Sequence, residues 1–391
     1  MSLNRDYDIV VIGGGLVGAA TALALARNGL KITLVEASPE PSLPQDESWD
    51  SRIYAISPGN MRFLDSLGVW KTQELSRVAP IEAMQIWGDE HAELEFSAYE
   101  ASVPALGYIV ESRQLQHALW TQMRQISEIE LFCPAHCVSL TWETSCVRLA
   151  LSDGMSLSAR LIVGADGGNS WARTQAGVGV NTRDYGQLGV VANFATGMPP
   201  RNIARQWFRK DGVLAWLPLP ENRMSMVWST DPAHARKLLA MSPTELGATV
   251  ADAGKNLLGP LSLITPVAAF PLRLQNAEVM VKPRLALVGD AAHLVHPLAG
   301  QGVNLGFHDV IGLEETLNNR NVQADVGDYA LLRRYERSRK MDISAMQITT
   351  TGLHALFGSD LPGAGRLRNL GMAFTNRQQW LKRRLMAHAM I

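Results

Sequence analysis

The chain has 391 residues, of which 47% are hydrophobic and 19% are charged. This composition is typical of a globular protein large enough for more than one structural unit, and it excludes a disordered or fibrous chain. Because 36 basic residues balance 37 acidic ones, to a formal net charge of −1, no overall field favours nucleic acid as a partner.

Two features bear on the compartment of the protein. The run at 9–26 is uncharged and long enough for a membrane span or a signal sequence, but four glycines interrupt it and two aspartates precede it, which argues against both. The cysteines, Cys133, Cys137 and Cys146, have no zinc-ligand spacing. We interpret them as buried thiols in a reducing compartment, as in a cytoplasmic protein.

The first predicted elements are a strand at 8–12, a helix, and a second strand at 31–35 that ends in Glu36. The glycines between strand and helix follow the spacing G-x-G-x-x-G: Gly13, Gly15 and Gly18. Such glycines let the backbone approach a pyrophosphate at the helix N-terminus, and the acid can accept from a ribose hydroxyl. The pattern predicts a site for FAD or NAD, because Glu36 would repel the 2′-phosphate of NADP.

Two arginines and a second turn follow. Arg52 precedes a predicted helix and Arg113 lies in the first turn of another, where each either meets an anion or serves as a capping or surface residue. At 160–173 a strand again ends in a Gly/Asp turn that opens a helix. We expect Asp166 to fix this turn and Arg173 to hold it by a charged hydrogen bond, either for a ligand or as a structural clasp.

Alternating apolar runs between 188 and 229 predict an antiparallel sheet, interrupted by a helix near 232–239. Large apolar side chains are concentrated in these strands: Trp207, Phe208, Trp216, Met224, Met226 and Trp228. Each one alone is expected to belong to the sheet core. Together they are expected to form an apolar wall suited to a flat or greasy substrate.

The stretch at 285–309 combines a buried strand, a Pro/Gly loop and a predicted helix. The strand ends at Gly289 and Asp290, and the helix opens at 300–302. A carboxylate and bare helical N–H groups would then face one ligand. His293 and His296 are interpreted as neighbours of the substrate entrance, and no metal site is expected, because a proline follows His296 and no second carboxylate is near.

The C-terminal part is predicted to be helical and ends in a basic segment. Between 361 and 391 there is no acidic residue, and the basic residues are interleaved with apolar ones: Arg366, Arg368, Arg377, Lys382, Arg383 and Arg384. Such a segment either lies on an anionic membrane or packs on the protein with its charges in water.

The three strand-to-turn sites resemble the motifs of the class A flavoprotein monooxygenases of the p-hydroxybenzoate hydroxylase type: 13–18, 166–173 and 289–290. Within that group, His-Pro-Leu-Ala-Gly-Gln-Gly-Val-Asn-Leu-Gly-Phe-His-Asp at 296–309 resembles the signature of the ubiquinone-biosynthesis hydroxylases. The segments at 106–111 and 367–371 are similar to those of its benzoquinol hydroxylase branch.

The resemblance implies an α/β fold with a Rossmann-like FAD-binding domain of the p-hydroxybenzoate hydroxylase type. That domain would be discontinuous, comprising residues 1–80, 105–183 and 275–345. An antiparallel β-sheet substrate domain would comprise 81–104 and 184–274, followed by a C-terminal helical segment at 346–391.

The resemblance also implies cofactor contacts for residues of all three turns: Gly13, Gly15, Gly18, Glu36, Arg52, Arg113, Asp166, Gly289, Asp290, Gly302, Val303 and Asn304. Glu36 would bind the adenosine ribose and Asp290 the ribityl chain. Arg52 and Arg113 would reach the ribityl and pyrophosphate region, and Asp166 would lie near the pyrophosphate. The residues implied to face the reactive flavin ring, with no acid or base assigned, are Pro297, Gly300, Gln301 and Gly302.

The implied reaction is hydroxylation of a polyprenylated phenol or benzoquinol in ubiquinone biosynthesis. NAD(P)H would reduce FAD transiently, O₂ would add at flavin C4a, and the hydroperoxide would transfer one oxygen to the ring. The implied location is cytoplasmic and peripheral to the inner membrane, with a quinone-biosynthesis complex as a candidate partner. A FAD-dependent reductase or dehydrogenase of a prenyl lipid, or a non-catalytic subunit of such a complex, would share the FAD features, and both alternatives stay open.

Overall fold

In a computed structural model, the described part of the chain comprises residues 4–71, 77–88, 93–209, 211–295, 301–321 and 323–357. Its strands, in chain order, are β1 (Asn4–Ile12), β2 (Ile32–Val35), β3 (Ile53–Ile56), β4 (Ala79–Ile81), β5 (Ala83–Trp87), β6 (Glu93–Ser97), β7 (Gly107–Glu111), β8 (Ile129–Phe132), β9 (Cys137–Trp142), β10 (Val147–Leu151), β11 (Ser156–Gly164), β12 (Val180–Thr196), β13 (Ile203–Arg209), β14 (Gly212–Leu219), β15 (Arg223–Thr230), β16 (Leu261–Leu263), β17 (Ala268–Ala277), β18 (Val281–Lys282), β19 (Leu285–Leu287) and β20 (His293–Leu294). Its helices are α1 (Leu16–Ala26), α2 (Pro58–Ser66), α3 (Ala98–Ala101), α4 (Ser112–Met123), α5 (Trp171–Gln175), α6 (Pro232–Ala240), α7 (Pro243–Ala253), α8 (Gln301–Asn318) and α9 (Tyr329–Phe357), with a 3₁₀ turn at Gly289–Ala291.

The first large sheet has a parallel centre in the order β19, β11, β1, β2, β8. The β-branched run of β1 is fully buried at Ile9, Val10 and Val11, as expected for a parallel strand covered on both faces. Helix α1 is buried along almost its whole length, because the sheet, α4 and α8 surround it. The α/β fold predicted from the sequence is confirmed.

The carboxyl ends of three parallel strands meet at one edge of this sheet. Immediately after β1, the Gly13 N–H donates to the Val35 carbonyl (2.9 Å). Behind β11, the Ala165 N–H donates to the Ile12 carbonyl (2.8 Å), and behind β19 the Val288 N–H donates to the Gly164 carbonyl (3.0 Å). Turns that are more than a hundred residues apart in sequence are therefore neighbours in space.

The second large sheet is mainly antiparallel and runs in the order β20, β17, β12, β15, β14, β13, β5, β6, with β16 beside β12. The antiparallel sheet and the helix after it were both predicted, whereas α7 was not. The N-terminus of α7 has a recognisable sequence pattern. Ser242 and Glu245 form a reciprocal capping box, and Pro243 follows the cap. The division of the chain into domains stays a prediction.

The large aromatic residues of this sheet do not form the substrate wall that we expected. Trp207, Trp216 and Trp228 are buried in one core with residues of α6 and α7, and the Trp207 and Trp216 rings meet edge to face at 4.8 Å. Side chains alternate between the two faces of a strand, so the opposite face carries smaller residues. The expectation that these residues form an apolar substrate wall is wrong, and the sheet-core interpretation is confirmed for Trp207, Trp216, Met224, Met226 and Trp228.

The expectation of buried cysteines is also wrong. Cys133, Cys137 and Cys146 are free thiols of intermediate exposure. Burial nevertheless raises the pKa of the Cys137 thiol to about 12, which leaves it protonated at neutral pH.

Within the described ranges, no helix has the length and apolar character needed to cross a membrane. The basic segment at 361–391 lies outside the described residues.

We predict that Gly18→Ala lowers the free energy of unfolding by about 1–3 kcal/mol, because overpacking at a close contact forces a backbone shift. A Cβ at Gly18 would lie 1.9 Å from the Gly13 carbonyl oxygen. Chemical denaturation of the cofactor-free protein measures the effect. Gly15→Ala is the matched control, since a Cβ there meets nothing within 4 Å; equal losses in the two variants would contradict the packing argument.

Candidate functional site

The first turn, at 13–18, is held by hydrogen bonds of the backbone N–H and the backbone carbonyl of Gly14. Its N–H donates to Glu36 Oε2 (2.6 Å), and its carbonyl accepts from Trp120 Nε1 (2.8 Å) and Gln116 Nε2 (3.1 Å). Gly15 follows at the N-terminus of α1 with open space where a side chain would stand. The structure thus places Glu36 beside the turn, with acceptor capacity left on its carboxylate.

The second turn is closed by Asp166, as expected. Its Oδ1 accepts from Ser170 Oγ (2.5 Å) and its Oδ2 from the Ala172 N–H (2.9 Å). The expectation that Arg173 holds this turn by a charged hydrogen bond is confirmed, although its partner is not the Asp166 carboxylate. Because the α5 N-terminus already occupies the carboxylate, the buried Arg173 guanidinium donates instead to the carbonyls of Gly168 and Ala291 (both 2.8 Å), and so ties the second turn to the third.

The third turn presents the Asp290 carboxylate to a cavity. Gly289, two residues after the end of β19, adopts a left-handed φ of 59°, a conformation that favours glycine. Desolvation by the surrounding protein raises the pKa of Asp290, the charges of His293 and Arg52 lower it, and that of Asp309 raises it. Among the described residues, no group donates a hydrogen bond to this carboxylate, although it lines the cavity.

Asp309, on α8, is a residue that the sequence analysis missed. Its fully buried carboxylate accepts from the Gly289 N–H (2.9 Å), His293 Nε2 (2.6 Å) and Arg339 Nε (2.9 Å). Burial works to raise the pKa of Asp309, but the charges and hydrogen bonds of His293 and Arg339 together lower it. One signal was available, since Asp309 follows Gly302 by seven residues, which is two helical turns on the same face.

The position of His293 corrects a second expectation. His293 is buried against Asp309, so it belongs to the support of the third turn and not to a substrate entrance. His296, Pro297 and Gly300 lie outside the described residues, as does the side chain of Gln301.

The first turn of α8 opens onto the same cavity through Gly302 and Val303. The Asn304 side chain is used to anchor this helix. Its Oδ1 accepts from the Ser57 N–H and from Asn60 Nδ2 (both 2.9 Å), and its Nδ2 donates to the Ala55 carbonyl (2.7 Å). The structure therefore gives Asn304 a clamp between α8 and β3.

The two predicted arginines have different surroundings. Arg52 is exposed, lines the cavity and acts on Asp290 through its charge. Arg113 donates to the Ser48 carbonyl and to the buried Glu111 carboxylate (3.3 Å). It is not among the residues that line the cavity, so the structure brings Arg52 to Asp290 but assigns the Arg113 side chain to a local ion pair.

Tyr54 is a second missed residue. It lies on β3 between Arg52 and the Ala55 carbonyl that Asn304 holds, and it lines the cavity. Burial raises the pKa of its hydroxyl, which has a hydrogen bond with Ser112. Nothing in the sequence besides its nearness to Arg52 marks this residue.

The cavity has a volume of about 770 Å³ and joins the two large sheets. One end is lined by Leu16, Asp290 and Gly302, and the other by Ala215 and Val227 of the antiparallel sheet. This volume is within the range of small-molecule and cofactor sites. A ligand could therefore extend from the three turns to the sheet face without leaving the protein.

A family model described as FAD binding domain matches residues 6–349. The chain belongs to this FAD-binding family. Its relatives include the 3-demethoxyubiquinol 3-hydroxylase of Escherichia coli (strain K12), 37% identical over 390 residues that cover 99% of each chain. The mitochondrial ubiquinone biosynthesis monooxygenase COQ6 of Homo sapiens is 34% identical over 437 residues, with 99% of this chain and 93% of the human protein covered.

The fold of this FAD-binding family member also has solved counterparts. The structure of p-nitrophenol 4-monooxygenase PnpA from Pseudomonas putida DLL-E4 matches with a TM-score of 0.80 at 17% identity, covering 100% of this chain and 99% of that one. The expected FAD cofactor and the expected class, a FAD-dependent monooxygenase, are confirmed by the family and its relatives. Asp290 fits this cofactor, because a carboxylate that receives no hydrogen bond from the described residues suits a chain of hydroxyl groups.

We predict that Asp290→Asn weakens FAD binding by about 10- to 100-fold, because hydrogen bonds to a charged acceptor are replaced by neutral ones. The cofactor-free variant should be about as stable as the parent, since Asp290 is exposed and no described residue donates a hydrogen bond to its carboxylate. Titration of the apoprotein with FAD and thermal unfolding measure the two effects. Asp252→Asn on α7, exposed and outside the cavity, is the control; unchanged FAD affinity in Asp290→Asn would refute this role.

We predict that Asp309→Asn lowers the free energy of unfolding by about 3–5 kcal/mol at neutral pH, because His293 and Arg339 lose their buried counter-charge. The folded-state pKa of Asp309 is lowered. The stabilisation is therefore present above the unfolded carboxyl pKa of about 3.9 and is lost as pH falls through the folded value.

Urea unfolding of the parent and of Asp309→Asn, from neutral to acidic pH, measures the difference in their free energies of unfolding. This difference should become smaller at acidic pH. Asp342→Asn is a matched control, because Asp342 contacts the same Arg339 (2.5 Å) but its side chain is 60% exposed. The free energy of unfolding of Asp342→Asn should be less than about 1 kcal/mol below that of the parent. A gap between Asp309→Asn and the parent that does not change with pH would contradict the assignment.

Proposed function

We propose that the protein hydroxylates the aromatic ring of a polyprenylated phenol or benzoquinol in ubiquinone biosynthesis, with FAD bound and with NAD(P)H and O₂ as co-substrates. The observation that carries this proposal is the cavity that leads from Asp290 and Gly302 to an aliphatic sheet face. A prenylated ring matches such a surface. The names of the relatives, 3-demethoxyubiquinol 3-hydroxylase and ubiquinone biosynthesis monooxygenase, support the same substrate class.

In this proposal the three turns hold different parts of FAD. Gly13, Gly15 and Gly18 leave room for the pyrophosphate at the start of α1, and Glu36 accepts from the adenosine ribose. Asp290 and Gly289 hold the ribityl chain, with Arg52 opposite. Asp166 shapes its turn near the pyrophosphate. Arg113 contributes by fixing the loop at Ser48, and Asn304 contributes by fixing α8.

The helix α8 provides the main electrostatic contribution. Its first N–H groups have no partners within the helix, and the positive end of its dipole lies where Gly302 and Val303 open onto the cavity. When bound, FAD supplies reducing equivalents from NAD(P)H and an activated oxygen for the ring. We propose that the N-terminal turn of α8, with Gln301, Pro297 and Gly300, stabilises negative charge on the cofactor ring.

The chain needs little acid–base machinery for this reaction. A phenol or quinol directs electrons to its own ortho and para carbons. The polar residues that line the cavity from β14 and β15 are neutral, and on β13 the Arg205 guanidinium donates to the carbonyls of Pro200 and Ile203, which is compatible with a substrate that is already activated. The role of the protein on this side is to bind and orient the ring and to exclude water.

We further propose that the protein works in the cytoplasm at the surface of the inner membrane. A prenyl lipid is delivered most directly from a bilayer, and the basic segment at 361–391 carries no acid that would oppose anionic lipid. Association with other enzymes of quinone biosynthesis would serve the same delivery.

We predict that Gly302→Trp abolishes hydroxylation while the protein still folds. A Cβ at Gly302 meets nothing within 4 Å and the residue lines the cavity, so an indole there would occupy the space of the ligand. The measurement is transfer of labelled oxygen from O₂ to a short-chain prenylated quinol in the presence of NAD(P)H. Glu315→Trp, exposed on the same helix, is the control and should retain activity.

Two results would contradict the proposed function. Product formation that needs no O₂ would indicate a reductase or dehydrogenase of a prenyl lipid. In a deletion strain, restoration of quinone by Gly302→Trp as well as by the parent protein would indicate a non-catalytic subunit of a quinone-synthesis complex.

A further inference from the structure

The sheet face that closes the cavity is almost entirely aliphatic. Alternate residues of β12 to β15 point into the cavity: Val191, Val213, Ala215, Leu217 and Val227. The polar residues that line the cavity from the same strands are one cation, Arg205, and three neutral residues: Gln206, Ser225 and Ser229. In ligand sites of this kind, a small number of polar groups fixes the orientation of the ligand.

The strand register places these three residues around one small apolar floor. Gln206 on β13 is opposite Ala215 on β14, and Ala215 is opposite Val227 on β15. Ser225 and Ser229 lie two residues to either side of Val227. Neighbouring strands are about 4.8 Å apart and alternate residues about 6.8 Å, so a substituted ring above Ala215 is within reach of Gln206 and of a serine.

The three polar groups lack protein partners among the residues that the structure describes. Ser225 is only 1% exposed and its Oγ has no hydrogen bond. No protein group in the described part of the chain bonds the Gln206 amide or the Ser229 hydroxyl. Leaving such groups unsatisfied in an apolar site costs free energy, which a ligand with matching oxygen atoms would recover.

Three of the cavity-lining residues are arginines: Arg52, Arg205 and Arg273. Arg205 precedes Gln206 on β13, so its side chain leaves the strand on the opposite face from the Gln206 side chain. Its guanidinium donates to the carbonyls of Pro200 (3.3 Å) and Ile203 (3.4 Å) at the start of the strand. These backbone carbonyls hold the Arg205 guanidinium, and the polar side chains around Ala215 on the Gln206 face are an amide and two hydroxyls.

We propose that Gln206 is a specificity-determining residue that hydrogen-bonds an oxygen substituent of the substrate ring, with Ser225 and Ser229 as further contacts. The inference rests on the proposed function. An amide donates and accepts at once and does not titrate. It therefore suits a neutral ring on which a hydroxyl donor stands beside an ether or carbonyl acceptor, and it discriminates against rings that lack one of these oxygens.

The test compares Gln206→Met with Gln85→Met in the FAD-loaded enzyme. Gln85 lies on β5 in register with Arg205 and is not among the cavity-lining residues, so it is a matched control. Two short-chain prenylated quinone analogues serve as probes, one with all ring oxygens and one lacking an oxygen. Their Kd is read from the change in flavin absorbance without NAD(P)H, and kcat and KM are measured separately with the corresponding quinols.

Gln206→Met should weaken binding of the fully oxygenated analogue by about 10- to 100-fold and should have a much smaller effect on the deoxygenated one. Gln85→Met should change neither. An equal loss for both analogues, or no loss for either, would overturn the role of Gln206 while leaving the proposed function intact. If the parent enzyme hydroxylates no prenylated phenol or quinol, the proposed function itself fails.

Two further variants keep the test independent of folding defects at Gln206. Ser225→Ala and Ser229→Ala remove one hydroxyl each without adding volume. Either change should reduce the discrimination between the two analogues by about 3- to 10-fold. If both serine variants discriminate between the two analogues as strongly as the parent does, the proposed set of contacts is contradicted.

Discussion

The buried carboxylate of Asp309 is the interaction on which the geometry of the site depends. It joins three segments that are distant in sequence, because it accepts from the Gly289 backbone, from His293 and from Arg339. In a medium of low dielectric such a set is strong only when all its members are present. The third turn, α8 and α9 are therefore fixed as one unit, and Asp290 has a defined position relative to the N-terminus of α8.

Two other clamps extend this unit. Arg173 links the second turn to the third through the Ala291 carbonyl, and Asn304 links α8 to β3, the strand that carries Tyr54 and follows Arg52. None of the three clamping side chains is among the cavity-lining residues. The groups that face the ligand are thus positioned by a separate layer of hydrogen bonds, which reduces the reorganisation needed when a ligand binds.

The sequence was informative wherever the chemistry is local. The glycine spacing, the strand-terminal aspartates and the alternation of the second sheet predicted the three turns and the fold, since each depends on residues close together in the chain. The sequence was uninformative where a side chain bonds to a partner that is far away along the chain. Arg339 lies thirty residues from Asp309, and no spacing rule relates them.

The tryptophan residues illustrate a different limit. A period of two shows which side chains share a face of a strand, but it does not show which face is covered by helices and which meets a cavity. The covered face is the one that packs with α6 and α7, whose apolar residues share a core with Trp207 and Trp216; the sequence analysis predicted only the first of these two helices.

The two faces of β13 to β15 consequently experience different selective pressures. Residues such as Trp216 must fit a dense interior, where the change of one methylene is costly. Their neighbours Ala215 and Leu217 border open space and can gain or lose atoms without repacking the core. One sheet can thus diversify in what it recognises while the thermodynamic stability of the protein stays nearly constant, which is a structural basis for the acquisition of new substrates within a single scaffold.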